Sequence, residues 1–469
     1  MKFTKITSDI QRTLQELLKN YQPIQQIIDT VAQAGGTVLL VGGAVRDLLL
    51  HIPVKDLDIE VHGLALEQLE TVLKQFGPVS LVGKSFGVLR LHGLDADWSV
   101  PRSDSAGRKP TVTFDPNLDL QGAFIRRDLT INALGINLQT FELIDPFNGA
   151  HDLHNKLLSA PDKDFFAQDP LRLFRVMQFI GRFAMQPDAQ LNTICASMDI
   201  STISTERIEI EFEKLLLKSA RPSLGIKWLR EIARLQEIMP ELYRTIGIEQ
   251  NVEYHPEGDV FEHTMQAIDA AARLHYENDQ EKLLVMYAVL CHDLGKITAS
   301  FIKHGKIVSH GHAQEGVPLA KQLLKRITRN VDLVTGVVLL VYHHMDPLGF
   351  VQNKAGASAY KRLARKLAPH VTLRILSKVN TADQQGRNGT SHEPLTTISD
   401  ITREFIANAQ KAGVLEGIEQ PILHGRDLLD VIAPGAELGE LVKHAYEIQL
   451  DQGIRDKEEL KRLVLSKKK

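Results

Sequence analysis

Two Asp-x-Asp pairs and a scattered set of histidines carry most of the chemistry available to this 469-residue chain. The first pair is Asp56 and Asp58 in KDLDIEV. Residues two apart share one face of a strand, so both carboxylates can reach the same ions. Hard oxygen donors beside substrate phosphates suit Mg²⁺, and a two-ion clamp stabilises the attacking and leaving oxygens of a phosphoryl displacement. The second pair, Asp95 and Asp97 in LDADWSV, repeats the pattern and offers a third carboxylate.

A different pairing opens the segment QDPLRLFRVMQFIGRFAM, where Arg172 follows Asp169 by three residues. Cytosine and adenine each present an amino donor next to a ring-nitrogen acceptor. A carboxylate beside a guanidinium complements that edge, whereas uracil and guanine reverse it. Discrimination of that kind is worth on the order of 1–3 kcal/mol per pair. The plainer alternative is a surface ion pair worth roughly 0.5 kcal/mol.

The histidines gather in the second half: His255 and His263 in HPEGDVFEHTM, His292-Asp293 in VLCHDLGKIT, His312, the doublet His343-His344, and the later Asp383. A His-Asp doublet within an apolar helix is costly to bury unless a metal removes the charge penalty. Imidazole with carboxylate suits a divalent transition metal, and an open coordination position can activate water against a phosphate.

These groups need elements to hold them. TVLLV is a short β-branched run that turns at Gly42-Gly43 into a helix, AVRDLLL. The glycines admit a close ligand, the helix start offers unpaired N–H groups to a phosphate, and Arg46 adds charge in the first turn. Residues 1–30 read as amphipathic helix, LALEQLETVLKQF as a helix ended by Gly77-Pro78, and VSLVGKSFGVLRLHG and LDADWSV as two strands. Residues 103–121 read as a mobile loop, and Arg126, Arg127 and Asp128 as the opening of a helix with Asn132 one turn on. Adjacent arginines there would face different sides, so at most one need reach a triphosphate while the other can pair with a carboxylate. Asp169 and Pro170 read as an N-cap and first helical residue.

GGAVRDLLL followed by KDLDIEV resembles the nucleotidyltransferase signature of the tRNA CCA-adding enzymes and the related bacterial poly(A) polymerases, within the polymerase-β-like superfamily. The resemblance implies that Asp56 and Asp58 bind Mg²⁺ and that Asp97, in DWSVPR, is the third carboxylate in preference to Asp95. It implies that Gly42, Gly43, Arg46, Arg127, Asp128, Asn132 and Arg175 bind the nucleotide, and that Asp169 and Arg172 select CTP and ATP. Gln168 departs from the family's usual Glu. The order His263, His292-Asp293, Asp383 resembles the metal-dependent HD phosphohydrolases, with His312 and His343 at places for a second metal. The longer agreement from YHPEGDVFEHT to the D-x-x-GR phrase is similar to multifunctional CCA proteins of the class II type, implying phosphatase and 2′,3′-cyclic phosphodiesterase activity.

The expected fold is α+β: a polymerase-β-like head over 1–160, an all-α neck over 161–250, an HD domain over 251–392 and a helical tRNA-binding tail over 393–469. The expected activity adds C, C and A to tRNA 3′ ends, with poly(A), CC-only or A-only addition as alternatives. A reading of another class is an HD phosphohydrolase or RNA-binding module with an inert polymerase half. A net charge of −3 makes no global case for nucleic acid. Between Pro347 and Ala382 basic residues accumulate, either to track RNA phosphates or as a solvated helix face. Cys195 and Cys291 are too far apart in sequence for a disulfide framework, and the polar N-terminus lacks a signal peptide pattern. A cytoplasmic location follows, with no membrane and no protein partner implied.

Overall fold

A computed structural model describes residues 4–82, 87–104, 112–391 and 393–466, which fall into two compact units, Met1–Ile203 and Ser204–Lys469. The first unit is built on a mixed eight-stranded sheet. Its strands are β1 (Thr4–Lys5), β2 (Thr37–Val41), β3 (Leu57–His62), β4 (Val79–Val82), β5 (Val88–Leu91), β6 (Ala96–Ser99), β7 (Gly135–Asn137) and β8 (Glu142–Ile144). In space they run β1-β8-β7-β2-β3-β6-β5-β4.

β3 lies inside the sheet, antiparallel to β2 and parallel to β6, in a register that sets Asp58 opposite Asp97. Its side chains alternate: Leu57, Ile59 and Val61 enter the core with Ile27, Val31 and Leu69, which leaves Asp58, Glu60 and His62 on the other face. Helices α1 (Ser8–Lys19) and α2 (Ile24–Gln33) cover the core side. α1 does so through Ile10, Leu14 and Leu18, one turn apart, and Thr7 caps its start. The helix expected over residues 1–30 is thus a short strand and two helices, with Lys19 and Ile24 bounding the break.

Three other expectations need correction. The segment 103–121 is not all loop: Arg102–Asp104 pairs with Val112–Phe114 as a hairpin and Leu120–Phe124 is helical, while 105–111 lies outside the described residues. VSLVGKSFGVLRLHG forms two strands, β4 and β5, with 83–86 likewise outside. Arg126, Arg127 and Asp128 do not open a helix. They occupy irregular chain between Leu120–Phe124 and a single 3₁₀ turn at Thr130–Asn132, before β7. Short α3 (Gly43–Leu49) follows β2 as the apolar run predicts, and α4 (Leu171–Phe183) begins two residues after Asp169.

The second unit is helical apart from the hairpin Phe301–Lys303/Lys306–Val308, among the described residues. Its histidines sit on or beside α5 (Val260–Ala272), α6 (Asp279–Cys291), α7 (His312–Ile327), α8 (Val331–His343) and α9 (Leu373–Gln385). α6 is buried without interruption from Leu284 to Cys291, the pattern of a helix surrounded by others. α5, α8 and α9 all pack against it. One stretch, Val331–Gln352, is long and apolar enough to cross a membrane by length and composition. Its Val337, Leu340 and Val341 are core residues of this bundle, which makes it a core helix. The tail folds as helices Asp400–Lys411, Ala436–Gln452 and Lys457–Ser466, and Lys467–Lys469 lie outside the described residues. The division at Ile203 falls inside the span 161–250 expected as a neck.

Candidate active and metal sites

On the polar side of the sheet a cavity of about 170 Å³ is lined by Asp58, Asp97, Ser99, Arg102, Arg126 and Arg127, with Val41, Val88 and Val100. Gly42 closes one side. Its φ of +74° favours glycine, and a Cβ there would stand 3.0 Å from Arg127 Nη1 and 3.8 Å from Asp58 Oδ2. Backbone, guanidinium and carboxylate therefore converge at the glycine turn, with Arg127 rather than Arg46 supplying the guanidinium. Asp56 precedes β3 and is exposed beside Asp58.

Water is partly stripped from Asp58, which raises its carboxyl above the ordinary value although one edge stays open to solvent. Arg127 opposes that rise, and the charges of Asp97 and Asp56 add to it. Three acids that repel one another at a cavity mouth fit a hard divalent cation, which would relieve the repulsion. Asp97 also pairs with Arg90 across β5 and β6, Nη2 to Oδ1 2.6 Å. Asp95 lines a separate cavity with Tyr21 and Val54.

Both arginines of the Arg126-Arg127 pair line the cavity. The chain there is not helical, and both reach the same acid: Glu60 Oε2 lies 3.1 Å from Arg126 Nη2 and 4.0 Å from Arg127 Nη2. Glu60 is 1% exposed, and His62 Nε2 sits 3.1 Å from its Oε1. Burial would raise its carboxyl, but His62, Arg127 and Arg126 together hold it below the usual range. Sequence reasoning stopped at Asp58, although Glu60 continues the same alternation in DLDIEV.

Arg46 is turned inward and only 5% exposed. Its Nη1 donates to Asn132 Oδ1 at 2.5 Å, its Nε to Asp47 at 2.8 Å, and its guanidinium lies 5.1 Å from the rings of Phe179 and Phe183 on α4. It links α3 to α4 rather than lining the cavity described above. Asp128 has a similar post: its Oδ1 accepts from Asn132 Nδ2 and the Leu129 N–H, both at 2.9 Å, and its Oδ2 from Arg175 Nε at 2.5 Å. Burial pushes this carboxyl up, yet Arg175, Asn132 and the Leu129 N–H overcome it and hold it at about 2. On the base-selecting segment, Asp169 Oδ1 accepts from the Leu171 N–H at 3.2 Å. Arg172 donates to the carbonyls of Phe165 and, at 3.3 Å, Arg126, which ties this helix to the cavity wall.

In the second unit His263, His292, Asp293 and Asp383 come together as expected. His263 Nε2 is 3.2 Å from His292 Nε2 and 3.1 Å from Asp383 Oδ1, and His292 Nε2 is 3.3 Å from Asp293 Oδ2. All four are at most 4% exposed. His292 Nδ1 donates to the Val289 carbonyl at 2.7 Å, and His263 Nδ1 to Glu257 Oε1 at 2.6 Å. With Nδ1 carrying the hydrogen, each neutral ring presents a bare Nε2 lone pair. Two bare lone pairs face each other at the cluster, an arrangement that a cation resolves and that Nδ1 partners typically support at metal sites.

Charge around the cluster agrees. Burial would lift Asp293 and Asp383, but Lys296 and the histidines hold the first, and Arg387 and His263 the second, well below the usual carboxylate range. Burial would lower His263, but Asp383, Glu257 and Asp293 keep it above its ordinary value. The cluster favours positive charge at its centre.

His312 lies near Asp293, but His343 does not join it. His343 Nδ1 is 2.6 Å from Asp346 Oδ2, whereas His344 Nε2 is 3.0 Å from His312 Nε2. The reason is helical phase. His344 follows Leu340 and Val341 by four and three residues on the core stripe, and adjacent residues diverge in direction. That spacing was the available signal. Glu257, Lys296 and Arg387 were also missed as partners of these ligands, since nothing in a sequence alone marks which charge meets which. Of the basic stretch, Lys361, Arg362, Arg365, Arg374 and Lys378 are engaged by Glu419, Asp451, Glu447, Glu416 and Glu281, so the structure favours an ion-paired surface there.

Fold and sites together define a two-part enzyme, a nucleotidyltransferase head with an HD domain. Residues 38–159 match the poly A polymerase head domain family and residues 260–369 the HD domain family. A multifunctional CCA protein of Mannheimia succiniciproducens is 35% identical over 301 residues, which is 61% of this chain and 69% of that protein. The chain belongs to the multifunctional CCA protein family. Among solved structures, a Bacillus stearothermophilus CCA-adding enzyme in complex with CTP shares the fold at a TM-score of 0.66 and 18% identity, covering 95% of this chain and 97% of that one. A Thermotoga maritima CCA-adding enzyme complexed with tRNA matches at 0.58 and 20% identity, with 100% of each chain covered.

Proposed function

We propose that the chain adds C, C and A to tRNA 3′ ends from CTP and ATP without a nucleic-acid template. The observation that carries this reading is the convergence of Gly42, Asp58, Asp97 and Arg127 on one cavity, beside a helix joined to its wall by Arg172. Asp56 and Asp58 hold Mg²⁺, and bound Mg²⁺ supplies Lewis-acid stabilisation of the attacking and leaving oxygens. Asp97 lies where it can orient the primer hydroxyl, while Arg126 and Arg127, braced by Glu60, bind the phosphates. Gly42 and Gly43 admit the triphosphate to the backbone. Arg46, Asp128, Asn132 and Arg175 keep the selecting helix in place behind it, and Asp169 with Arg172 read the amino edge of C or A.

The cluster of His263, His292, Asp293 and Asp383 holds a divalent transition metal for phosphatase and 2′,3′-cyclic phosphodiesterase chemistry. The domains are the head 1–160, neck 161–250, HD domain 251–392 and tail 393–469. The enzyme works in the cytoplasm on tRNA. Incubating tRNA that lacks its terminal trinucleotide with each nucleotide, then sequencing the ends, tests the first activity. The expected product is CCA from CTP plus ATP. Incorporation of A alone in long runs, or of nothing, overturns it.

A further inference from the structure

We infer that the HD cavity recognises the organic part of its phosphoester, and that Ile307, Val308, Met345 and Leu348 form the wall that grips the base and ribose of a single nucleotide. The inference rests on the phosphohydrolase reading of the cluster of His263, His292, Asp293 and Asp383. That cluster accounts for a phosphate but not for the rest of the cavity, which measures about 350 Å³. Sites for small organic molecules run from about 300 to 1,000 Å³, so this one lies at the end of the range that holds a single small ligand.

The lining is of two kinds. Its polar part carries Asp293 and Asp383 with the cations Lys296 and Arg387. Lys296 Nζ lies 2.7 Å from Asp293 Oδ2, and Arg387 Nη2 lies 2.8 Å from Asp383 Oδ1. Its apolar part is Ile307 and Val308 of the hairpin, with Met345 and Leu348 at the start of the short helix Asp346–Gln352. Ile307, Val308 and Leu348 are half-buried and Met345 is 37% exposed, so these side chains are not spent on the core. Inorganic phosphate or polyphosphate would gain nothing from them. A base and ribose laid against them would take their carbon out of water. Tyr254 borders the same cavity at 64% exposure, a ring on which a base can stack.

The chain itself fixes this wall to the cluster. Ser309, next after Val308, accepts at its carbonyl from His312 Nδ1 at 2.7 Å, and its hydroxyl lies 2.8 Å from Ser300 Oγ at the other end of the hairpin. Lys306 Nζ, 3.0 Å from Glu253 Oε2, ties the hairpin to the segment that carries Tyr254. From the other direction Met345 follows His344, whose Nδ1 donates to the Val341 carbonyl at 2.7 Å and whose Nε2 is 3.0 Å from His312 Nε2. Both halves of the wall are therefore anchored on imidazoles that border the cavity with Asp293. A base held there has a set position relative to the reacting phosphate, which is what orientation of a substrate requires.

The test gives the metal-loaded full chain two substrates with the same five-membered cyclic phosphate: 2′,3′-cyclic AMP, and glycerol 1,2-cyclic phosphate, which lacks ribose and base. The wild type is expected to favour cyclic AMP about a hundredfold in kcat/KM. Leu348→Asn and Ile307→Asn should each raise KM for cyclic AMP about tenfold while changing the glycerol ester less than about twofold, because the interaction lost is one of binding. Tyr254→Ala should raise KM for cyclic AMP about threefold. Leu348→Met, which restores apolar carbon, should return KM to within about twofold of the wild type. Val331→Ala, 75% exposed on α8 and outside the cavity, should change neither substrate. Circular dichroism of each variant checks folding, and a collapse of the site would depress both substrates together. Equal kcat/KM for the two substrates in the wild type, or equal losses on both in the Leu348 and Ile307 variants, overturns the inference and leaves the phosphohydrolase. Hydrolysis of neither by the wild type overturns the phosphohydrolase reading and the inference with it.

Discussion

The two candidate sites of this chain solve the same electrostatic problem in opposite ways. In the head, carboxylates crowd the mouth of an open cavity: Asp56 and Asp58 are exposed, Asp97 is half-buried, and their mutual repulsion is relieved only in part by Arg127. In the HD unit the ligands are buried and each imidazole is locked by a hydrogen bond at Nδ1. The difference teaches which ions come and go. An open set of hard oxygens suits Mg²⁺ that arrives with a triphosphate and leaves with pyrophosphate. A sealed set of bare imidazoles suits an ion that stays.

The sharpest way to break this comparison is to remove one acid. Asp58→Ala, or Asp56→Ala, should lower CMP and AMP incorporation on the order of 10³-fold. Hydrolysis of a 2′,3′-cyclic nucleotide by the same preparation should be unchanged. Parallel assays of the two activities decide it, and equal loss of both would show that the sites are not separate.

Chelation is the next largest effect. Stripping resident metal from the second unit removes about 4 kcal/mol if the ion was present at a thousandfold its Kd, which lowers that unit's Tm by roughly 10 °C. The head should melt at the same temperature with or without the chelator. Calorimetry of the full chain reads both transitions, and an unshifted second transition would mean that no ion is resident.

How much of this was legible beforehand follows the same division. The strand-turn-helix of TVLLVGGAVRDLLL and the acids two apart were readable because period and glycine placement are local. His292-Asp293 stood out because a His-Asp doublet in apolar sequence is costly without a partner, and His263 and Asp383 were joined to it by the resemblance. What was not legible was the partner each charge would meet, which tertiary contact sets. Arg126 and Arg127 meet one buried acid because their chain is irregular, Arg46 turns inward because α4 offers Phe179 and Phe183, and His344 replaces His343 because of a helical phase that the doublet alone leaves open. The basic stretch around Lys361 stayed open between an RNA track and a solvated helix face because its acidic partners lie 42–97 residues away.

A smaller effect separates stability from chemistry. The folded Asp128 carboxyl sits at about 2, below the ordinary unfolded value of about 3.9. Its contribution to stability is therefore complete above about pH 4 and lost as pH falls toward 2. The loss should be on the order of 2 kcal/mol for the head. Acid unfolding followed by far-ultraviolet circular dichroism should show this slope in the wild type and a flatter one in Asp128→Asn, which starts out less stable at neutral pH. An unchanged slope would mean that Arg175 and Asn132 do not hold that charge.

The smallest effect concerns Glu60, whose carboxylate touches neither ion nor nucleotide in this arrangement but braces the two arginines that line the cavity. Replacing it by glutamine keeps the shape and the bond to His62 while removing the charge that draws Arg126 and Arg127 together. If the phosphates are bound by those arginines, loosening them weakens ground-state and transition-state binding alike. KM for CTP and ATP should then rise about tenfold, close to 1.4 kcal/mol, with kcat changed less than about twofold. A merely structural role would instead lower the head's Tm and reduce active enzyme, leaving KM as it was. A fall in kcat at constant KM would place Glu60 among the groups that act on the reacting atoms, and would make the head's acid array four carboxylates deep rather than three.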